Sequence, residues 1–448
     1  MKVEQIYTGC LAHAAYYIES NGEAAIIDPL REVQPYINRA NIDSAKIKYI
    51  FETHFHADFV SGHLDLKAKT GAQIVFGPTA KPSYEAITAE DGQMFEIGDY
   101  KIKVIHTPGH TMESTTYLLI DENGKEHGIV TGDTLFIGDV GRPDLAQKIA
   151  SDLTQEMLAG FLYDSLRNKI MPLSDDLIVY PNHGAGSACG KNMSKETTDT
   201  LGHQKQVNYA LREDMTKDEF ITEVTTGLKP APQYFGNNVR MNKGVNTSID
   251  EILKKGTTPI DADSFKEMSQ QGDILVVDTR SKELYAEEGT VPGAWYIGVE
   301  GGFAPWVGAL IKNISQKIIF ISEEGREQEV VTRFSRVGYD NILGYLRGGI
   351  HSWLAAGHKV DKIGSISAVE FANRIKKGSM EAPLDVRKES EYLSEHVVGV
   401  ENFPLDTIHQ NFAEINPNKE YFLHCASGYR SLIAASIFMA NGVKRVTD

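Results

Sequence analysis

The sequence predicts an α/β protein made of one larger unit followed by two copies of a smaller one. Three observations carry this: short apolar strands alternate with polar or helical stretches over the first half, a Pro/Gly/Asn-rich break follows, and the chain then repeats itself. At 448 residues the chain exceeds one ordinary core, and its length points to about three domains.

Residues 1–230 supply the strands AYYIES, AAIID, KIKYIFE, QIVFG, YKIKVIHT, GIVTGD and DLIVYPN, and most of the histidines. Two helices are expected to close this region, over MSKETTDTLGHQKQVNYAL and TKDEFITEVTTGL. The second opens with Thr216 and Glu219 at capping-box spacing. KPAPQYFGNNVRMNKG then mixes Pro, Gly and Asn without periodicity, and residues 231–255 read as a linker.

Beyond it, DILVVDTRSKELYAEEGTVPGAWYI (273–297) and APLDVRKESEYLSEHVVGVENFPL (382–405) share a strand ending in Asp-x-Arg, a short acidic helix and a turn into another strand. KIIFISEEGREQEVVTRFSRVGY (317–339) likewise parallels EYFLHCASGYRSLIAASIFMANGV (420–443). Two α/β modules follow, at 256–362 and 363–448. LRGGIHSWLAAGHKV closes the first copy, whereas the second stops at VKRVTD.

Composition narrows the function classes. With 41% hydrophobic and 24% charged residues the chain reads as soluble and globular, and no apolar run approaches the roughly 18 residues that span a bilayer. MKVEQIYTGC lacks the apolar core of a signal peptide, so a cytoplasmic location is expected. A net charge of -16 argues against a nucleic-acid partner. Cys10, Cys189 and Cys425 are too few and scattered for a disulfide framework; each is a small buried hydrophobe or a reactive thiol.

Chemistry-bearing residues gather at four strand exits: His54, His56 and Asp58 in THFHADFVSGH, His110 in HTPGHT, Asp133 in TGDTLF and His183 in PNHG. Loops at the carboxyl edge of a sheet can turn such side chains toward one point.

These stretches, with GCLAHAAYYI and GDTLFIGDVGRPDL, resemble the metallo-β-lactamase superfamily over residues 1–230, and within it the persulfide dioxygenases. The resemblance implies an αβ/βα sandwich of two sheets flanked by helices, with metal at the sheet rim. It also implies one Fe(II) per chain, held by His54, His110 and Asp133. A second, hydrolytic ion would need Asp58, His183 and a donor near position 59, where Phe59 has no lone pair. Two imidazoles and one carboxylate on one ion leave a face open for a sulfur substrate and O2. His56, Asp58 and His183 are then expected to orient ligands or meet substrate, one of them being a metal ligand in the alternative. His13 and Arg142 resemble positions near the active site, although Arg142 has Asp139 and Asp144 as nearby partners. Cys189, on a glycine-rich loop beside Lys191, whose charge is expected to lower the thiol pKa, either accepts sulfur near the iron or is a quiet loop cysteine, and Cys10 is expected to be buried.

HCASGYRS (424–431) follows the strand YFL and opens a helix, so the Cys425 thiol meets loop N–H groups and the positive end of that helix. Cys425 and Arg430, with the strand end Asp385-Val386-Arg387, resemble rhodanese. The resemblance implies that Cys425 carries a persulfide whose charge is held by Arg430 and the cradle Ala426, Ser427, Gly428 and Tyr429. In the upstream copy Ser322 and Glu327 replace the Cys and Arg, so 256–362 is expected to be inactive.

The combined order resembles persulfide dioxygenase and sulfurtransferase fusions that detoxify sulfide. It implies oxidation of a small thiol persulfide by O2 to sulfite, then sulfur transfer through Cys425 to give thiosulfate, in a homo-oligomer. The rival is a thioester hydrolase of glyoxalase II type with two zinc ions and an accessory rhodanese.

Overall fold

In the computed structural model, which describes residues 2–145, 153–228 and 230–448, the chain forms two compact units, Met1–Ile249 with Ser335–Gly338, and Asp250–Phe334 with Tyr339–Asp448. No helix among the described residues is long and apolar enough to cross a membrane.

The first unit holds two six-stranded sheets. One runs in sequence order through β1 (Lys2–Thr8), β2 (His13–Ser20), β3 (Glu23–Ile27), β4 (Lys46–Glu52), β5 (Gln73–Phe76) and β6 (Ile87–Thr88). The other comprises β7 (Met94–Ile97), β8 (Tyr100–His106), β9 (Thr115–Ile120), β10 (Glu126–Gly132), β11 (Ile178–Pro181) and β12 (Asp199–Thr200). Tyr16, Ile18, Phe51 and Val75 from one sheet share a core with Ile102, Val104, Tyr117 and Val130 from the other. The outer face of the second sheet, with Leu118, Ile120 and Ile129, is covered by Leu158, Leu162 and Phe220 from helices Gln155–Ser165 and Lys217–Thr225. Burial on both faces explains why β9 reads TTYLLI, buried at every position, instead of alternating.

The closing helices differ in part from expectation. Lys217–Thr225 has the full reciprocal capping box of Thr216 and Glu219. Its predecessor starts only at Leu201, where the Thr200 side chain caps it, and ends at Val207. The expected linker 231–255 contains helix Phe235–Lys243, which buries Phe235, Asn238, Val239 and Asn242, and the start of helix Ile249–Gly256. Asn242 gives this helix its purpose: its Nδ2 donates to the carbonyls of His56 and Phe59, and its Oδ1 accepts from Ser61 N–H, each at 2.8 Å. The helix thus pins the loop that follows β4.

The second unit shows the repeat as geometry. In the first copy the parallel order is Trp295–Tyr296, Ile274–Asp278, Lys317–Ile321, Ile342–Leu346, and in the second Glu401–Asn402, Ala382–Asp385, Glu420–His424, Arg445–Thr447. Both Asp-x-Arg strand ends close on themselves: Arg280 Nη2 lies 2.7 Å from Asp278 Oδ2, and Arg387 Nη2 lies 2.6 Å from Asp385 Oδ2.

Candidate metal centre and sulfur-carrying loop

Strands β4, β8, β10 and β11 end just before the loops that carry His54, His110, Asp133 and His183, and all four side chains are buried. His54, His110 and Asp133 each bring one ligand atom within 4.8 Å of the others.

Neighbouring groups fix the tautomers. His110 Nδ1 lies 2.8 Å from the Arg142 carbonyl, which only accepts, so the hydrogen is on Nδ1 and the lone pair on Nε2. His54 Nδ1 lies 3.0 Å from Thr53 Oγ1, whose own hydrogen goes to Asp28 Oδ2, so His54 also donates from Nδ1. Both Nε2 lone pairs face Asp133 Oδ2, at 3.9 Å for His54 and 3.4 Å for His110. Neither Asp133 oxygen receives an N–H or O–H hydrogen bond. A buried carboxylate that faces lone pairs instead of donors carries a desolvation cost of several kcal/mol, which a cation offsets. Burial, then the nearby imidazoles of His56 and His110, hold His54 well below the usual histidine range, in the neutral form that binds metal. Two imidazoles and a carboxylate fit Fe(II) or Zn(II).

His56 lies outside this group. Its Nε2 sits 3.0 Å from Asp28 Oδ1 and 3.4 Å from Glu52 Oε2, and its ring stacks on Phe59 with centroids 4.3 Å apart. Burial opposes its charge, but Asp28 and Glu52 overcome that and hold it well above the usual range. Asp28, in the left-handed region at φ 52°, also accepts from Thr53 N–H and Asn182 Nδ2. Glu52 is held at about 2: burial raises it, but hydrogen bonds from His56 and His63 win. Asp28, Glu52 and His56 are close enough to bind an ion, yet their charges already pair with one another. Sequence reasoning missed Asp28 and Glu52, whose only signal was their place at the ends of AAIID and KIKYIFE.

Among the other expected residues, His13 lies against Phe59 and His183, with ring centroids 4.3 and 5.4 Å apart, and its Nε2 meets the Asp28 carbonyl. Arg142 forks onto Asp144 at 2.6 and 2.7 Å, while its carbonyl orients His110. His183 Nε2 faces Asp58 Oδ2 at 3.5 Å and Asp133 Oδ1 at 3.6 Å. Cys189 is buried beside them. Burial first, then the charges of Asp58 and Asp133, push its thiol well above the usual range. Lys191, expected to act in the opposite direction, bonds to the carbonyls of Glu223 and Thr226. Cys10 is half-buried, not buried as expected.

In the second unit, Cys425 follows strand Glu420–His424, and helix Tyr429–Ala440 starts at Gly428. Gly428 takes φ 86°, a left-handed turn that aims its N–H at Cys425 Sγ, 3.2 Å away. Burial opposes ionisation of Cys425, but the Ser431 hydroxyl and the N–H groups of Ser427, Ser431 and Arg430 outweigh it and lower the thiol below its usual range. Arg430 forks onto Glu391 at 2.6 and 2.9 Å, a partner the sequence did not disclose. Of the remaining cradle residues, Ser427 accepts from Lys282 Nζ at 3.0 Å through its carbonyl, and the Tyr429 hydroxyl donates to the Gly298 carbonyl at 2.7 Å. Both contacts come from the upstream copy. In that copy the Ser322 hydroxyl is buried without a partner and Glu323 accepts from Ser281 N–H.

Comparison with known proteins agrees with this division. The metallo-beta-lactamase superfamily matches residues 8–183. The rhodanese-like domain matches residues 261–356 and 367–448. A crystal structure of a metallo-beta-lactamase from Staphylococcus aureus subsp. aureus COL is 30% identical, covering 77% of this chain and 98% of that one with a TM-score of 0.66. Hydroxyacylglutathione hydrolases from Dictyostelium discoideum and Tolumonas auensis are 31% and 33% identical, over 41% and 38% of this chain. The chain spans 66% and 60% of the lengths of those two relatives.

Proposed function

Because the chain belongs to the metallo-beta-lactamase superfamily, with two rhodanese-like domains behind that fold, we propose that it oxidises small thiol persulfides with O2 and passes sulfane sulfur through Cys425. The reactions balance as RSSH + O2 + H2O giving RSH, sulfite and two protons, followed by RSSH + sulfite giving RSH and thiosulfate. Ferrous iron at His54, His110 and Asp133 supplies the binding of sulfur and O2 together. One observation supports the reading: His56 pairs with Asp28 and Glu52, so the group gathered at Asp133 is two imidazoles, His54 and His110, and one carboxylate.

The chain's own residues do the rest. The Arg142 carbonyl and Thr53 hold the two imidazoles in the tautomer that presents Nε2. In the rhodanese-like domain, the loop N–H groups and Ser431 stabilise the Cys425 thiolate, which attacks the outer sulfur of a persulfide and expels RS⁻. The same donors then hold the anionic Cys425 persulfide until sulfite takes its terminal sulfur.

A second reading is hydrolysis of glutathione thioesters. It is favoured by the printed function of the curated relatives and by Asp58 and His183 standing next to Asp133. Assaying sulfite from persulfides in air against acid release from S-acyl glutathione under argon separates the two. Sulfite formation that requires ferrous iron and oxygen supports the proposal, and oxygen-independent thioester cleavage alone overturns it.

A further inference from the structure

The upstream copy grips the Cys425 loop and its helix at three points. Lys282 Nζ donates to the Ser427 carbonyl at 3.0 Å, the Tyr429 hydroxyl donates to the Gly298 carbonyl at 2.7 Å, and Tyr296 N–H donates to the Ser436 hydroxyl at 2.8 Å, further along the helix. The first of these reaches the reactive sulfur. The Ser427 carbonyl and the Gly428 N–H belong to one trans peptide, which points them in opposite directions, and that N–H lies 3.2 Å from Cys425 Sγ. We propose that Lys282 is a positioning residue for Cys425: from the upstream copy it sets the orientation and donor strength of the Ser427–Gly428 peptide. Its value for sulfur transfer presupposes Cys425 as the carrier.

A carbonyl that accepts from an ammonium ion draws electron density from its own N–H, which becomes a stronger donor to an anionic sulfur. The ammonium also restrains a peptide whose Gly428 takes φ 86°, in the left-handed region where glycine turns freely. Lys282 is poorly placed for its own helix. It opens Lys282–Glu288 at the positive end, which disfavours a cation, whereas the second copy has Glu389 at the matching position. Other charges stand around the thiol: Arg430 bonds it as well as Glu391, Asp448 shares the Ser431 hydroxyl and feels Lys282, and His424 lies near Asp385, which pairs with Arg387. Lys282 differs from these in acting through a backbone peptide.

The test uses the full chain and reads the thiol directly. Alkylation of Cys425 by uncharged iodoacetamide is followed against pH by mass spectrometry of the peptide that carries it, so Cys10 and Cys189 do not interfere. The Lys282 side chain is 45% exposed, so its replacement leaves the core untouched. Lys282→Met, which keeps the stem and removes charge and donor, is expected to raise the alkylation midpoint by about half a unit, at low salt and in about 1 M KCl alike, because a hydrogen-bonded route is screened little. Lys282→Arg is expected to restore it. Thiosulfate formation by Lys282→Met then falls about threefold at pH below the midpoint and recovers above it, where the thiol is ionised in either protein.

An unchanged midpoint overturns the role of Lys282, and so does a midpoint that Lys282→Arg fails to restore. A shift that disappears in about 1 M KCl marks a diffuse charge effect, and a loss of transfer equal at every pH marks a structural one; either overturns the peptide route. Thiosulfate formation with an unchanged midpoint leaves Cys425 as the carrier. A shifted midpoint in Lys282→Met, with no thiosulfate formed by the unaltered chain, overturns the carrier and leaves Lys282 acting on the thiol.

Discussion

Glu52→Gln tests the buried pairing that takes His56 out of the metal group. Glu52 is 1% exposed and receives His63 Nδ1 at 3.1 Å and the Ser61 hydroxyl on Oε1, with His56 Nε2 at 3.4 Å from Oε2. Its carboxyl drops from an ordinary 4.5 to about 2. At roughly 1.36 kcal/mol per pH unit this corresponds to about 3 kcal/mol of stabilisation of the folded first unit. That stability is fully present above the unfolded value of 4.5 and is lost as pH falls toward about 2. The assay is urea unfolding followed by two probes. All three tryptophans, Trp295, Trp306 and Trp353, lie in the second unit, so their fluorescence reports that unit, whereas far-ultraviolet circular dichroism reports both. At pH 7 the variant should move the dichroism transition of the first unit by about 3 kcal/mol and leave the tryptophan transition in place; the difference should shrink steadily below about pH 4. An equal shift of both transitions, or a pH-independent difference, would refute the pairing argument.

Cys425→Ser should abolish thiosulfate formation from persulfide and sulfite while sulfite production continues, as measured by separating the two anions after a fixed time. Ser431→Ala removes a donor that lowers the Cys425 thiol, so the pH midpoint of Cys425 alkylation should rise by about half a unit or more, the weight of one weak hydrogen bond; an unchanged midpoint contradicts the assignment. Gly301→Ala would drive a Cβ into the Tyr429 ring, pushing that ring off the upstream copy and slowing sulfur transfer by about tenfold, a cost of roughly 1–2 kcal/mol in overpacking. Persulfide oxidation, followed in the same samples, should be unchanged by that substitution.

How far the sequence discloses this molecule varies from element to element. KIKYIFE matches β4 residue for residue because its apolar run ends where the ligand loop begins, and the capping box at Thr216 carries a local signal strong enough to fix its helix. Helix Phe235–Lys243 escaped because its buried face holds Asn238 and Asn242, which break the apolar period, and Asn242 serves backbone groups of the loop after β4. His54, His110 and Asp133 were legible as motifs. The partner that removes His56, Asp28, was not, since it sits 28 positions earlier and looks like any strand end. Glu391 was hidden for the same reason, paired with Arg430 from 39 residues away. Cys189 was visible, but its surroundings were misjudged: a neighbouring lysine in sequence turned out to bond elsewhere, and two carboxylates took its place.

Oxygen chemistry at the group formed by His54, His110 and Asp133 is read out by oxygen uptake. Full-length protein loaded anaerobically with Fe(II) is mixed with a thiol persulfide and air-saturated buffer, beside zinc-loaded protein and a His110→Ala variant. One O2 should be consumed per sulfite formed with iron alone, and uptake should be lowered at least about a hundredfold by zinc or by His110→Ala. Bound iron without uptake for any persulfide, or uptake that survives His110→Ala, would contradict oxygen chemistry at this group.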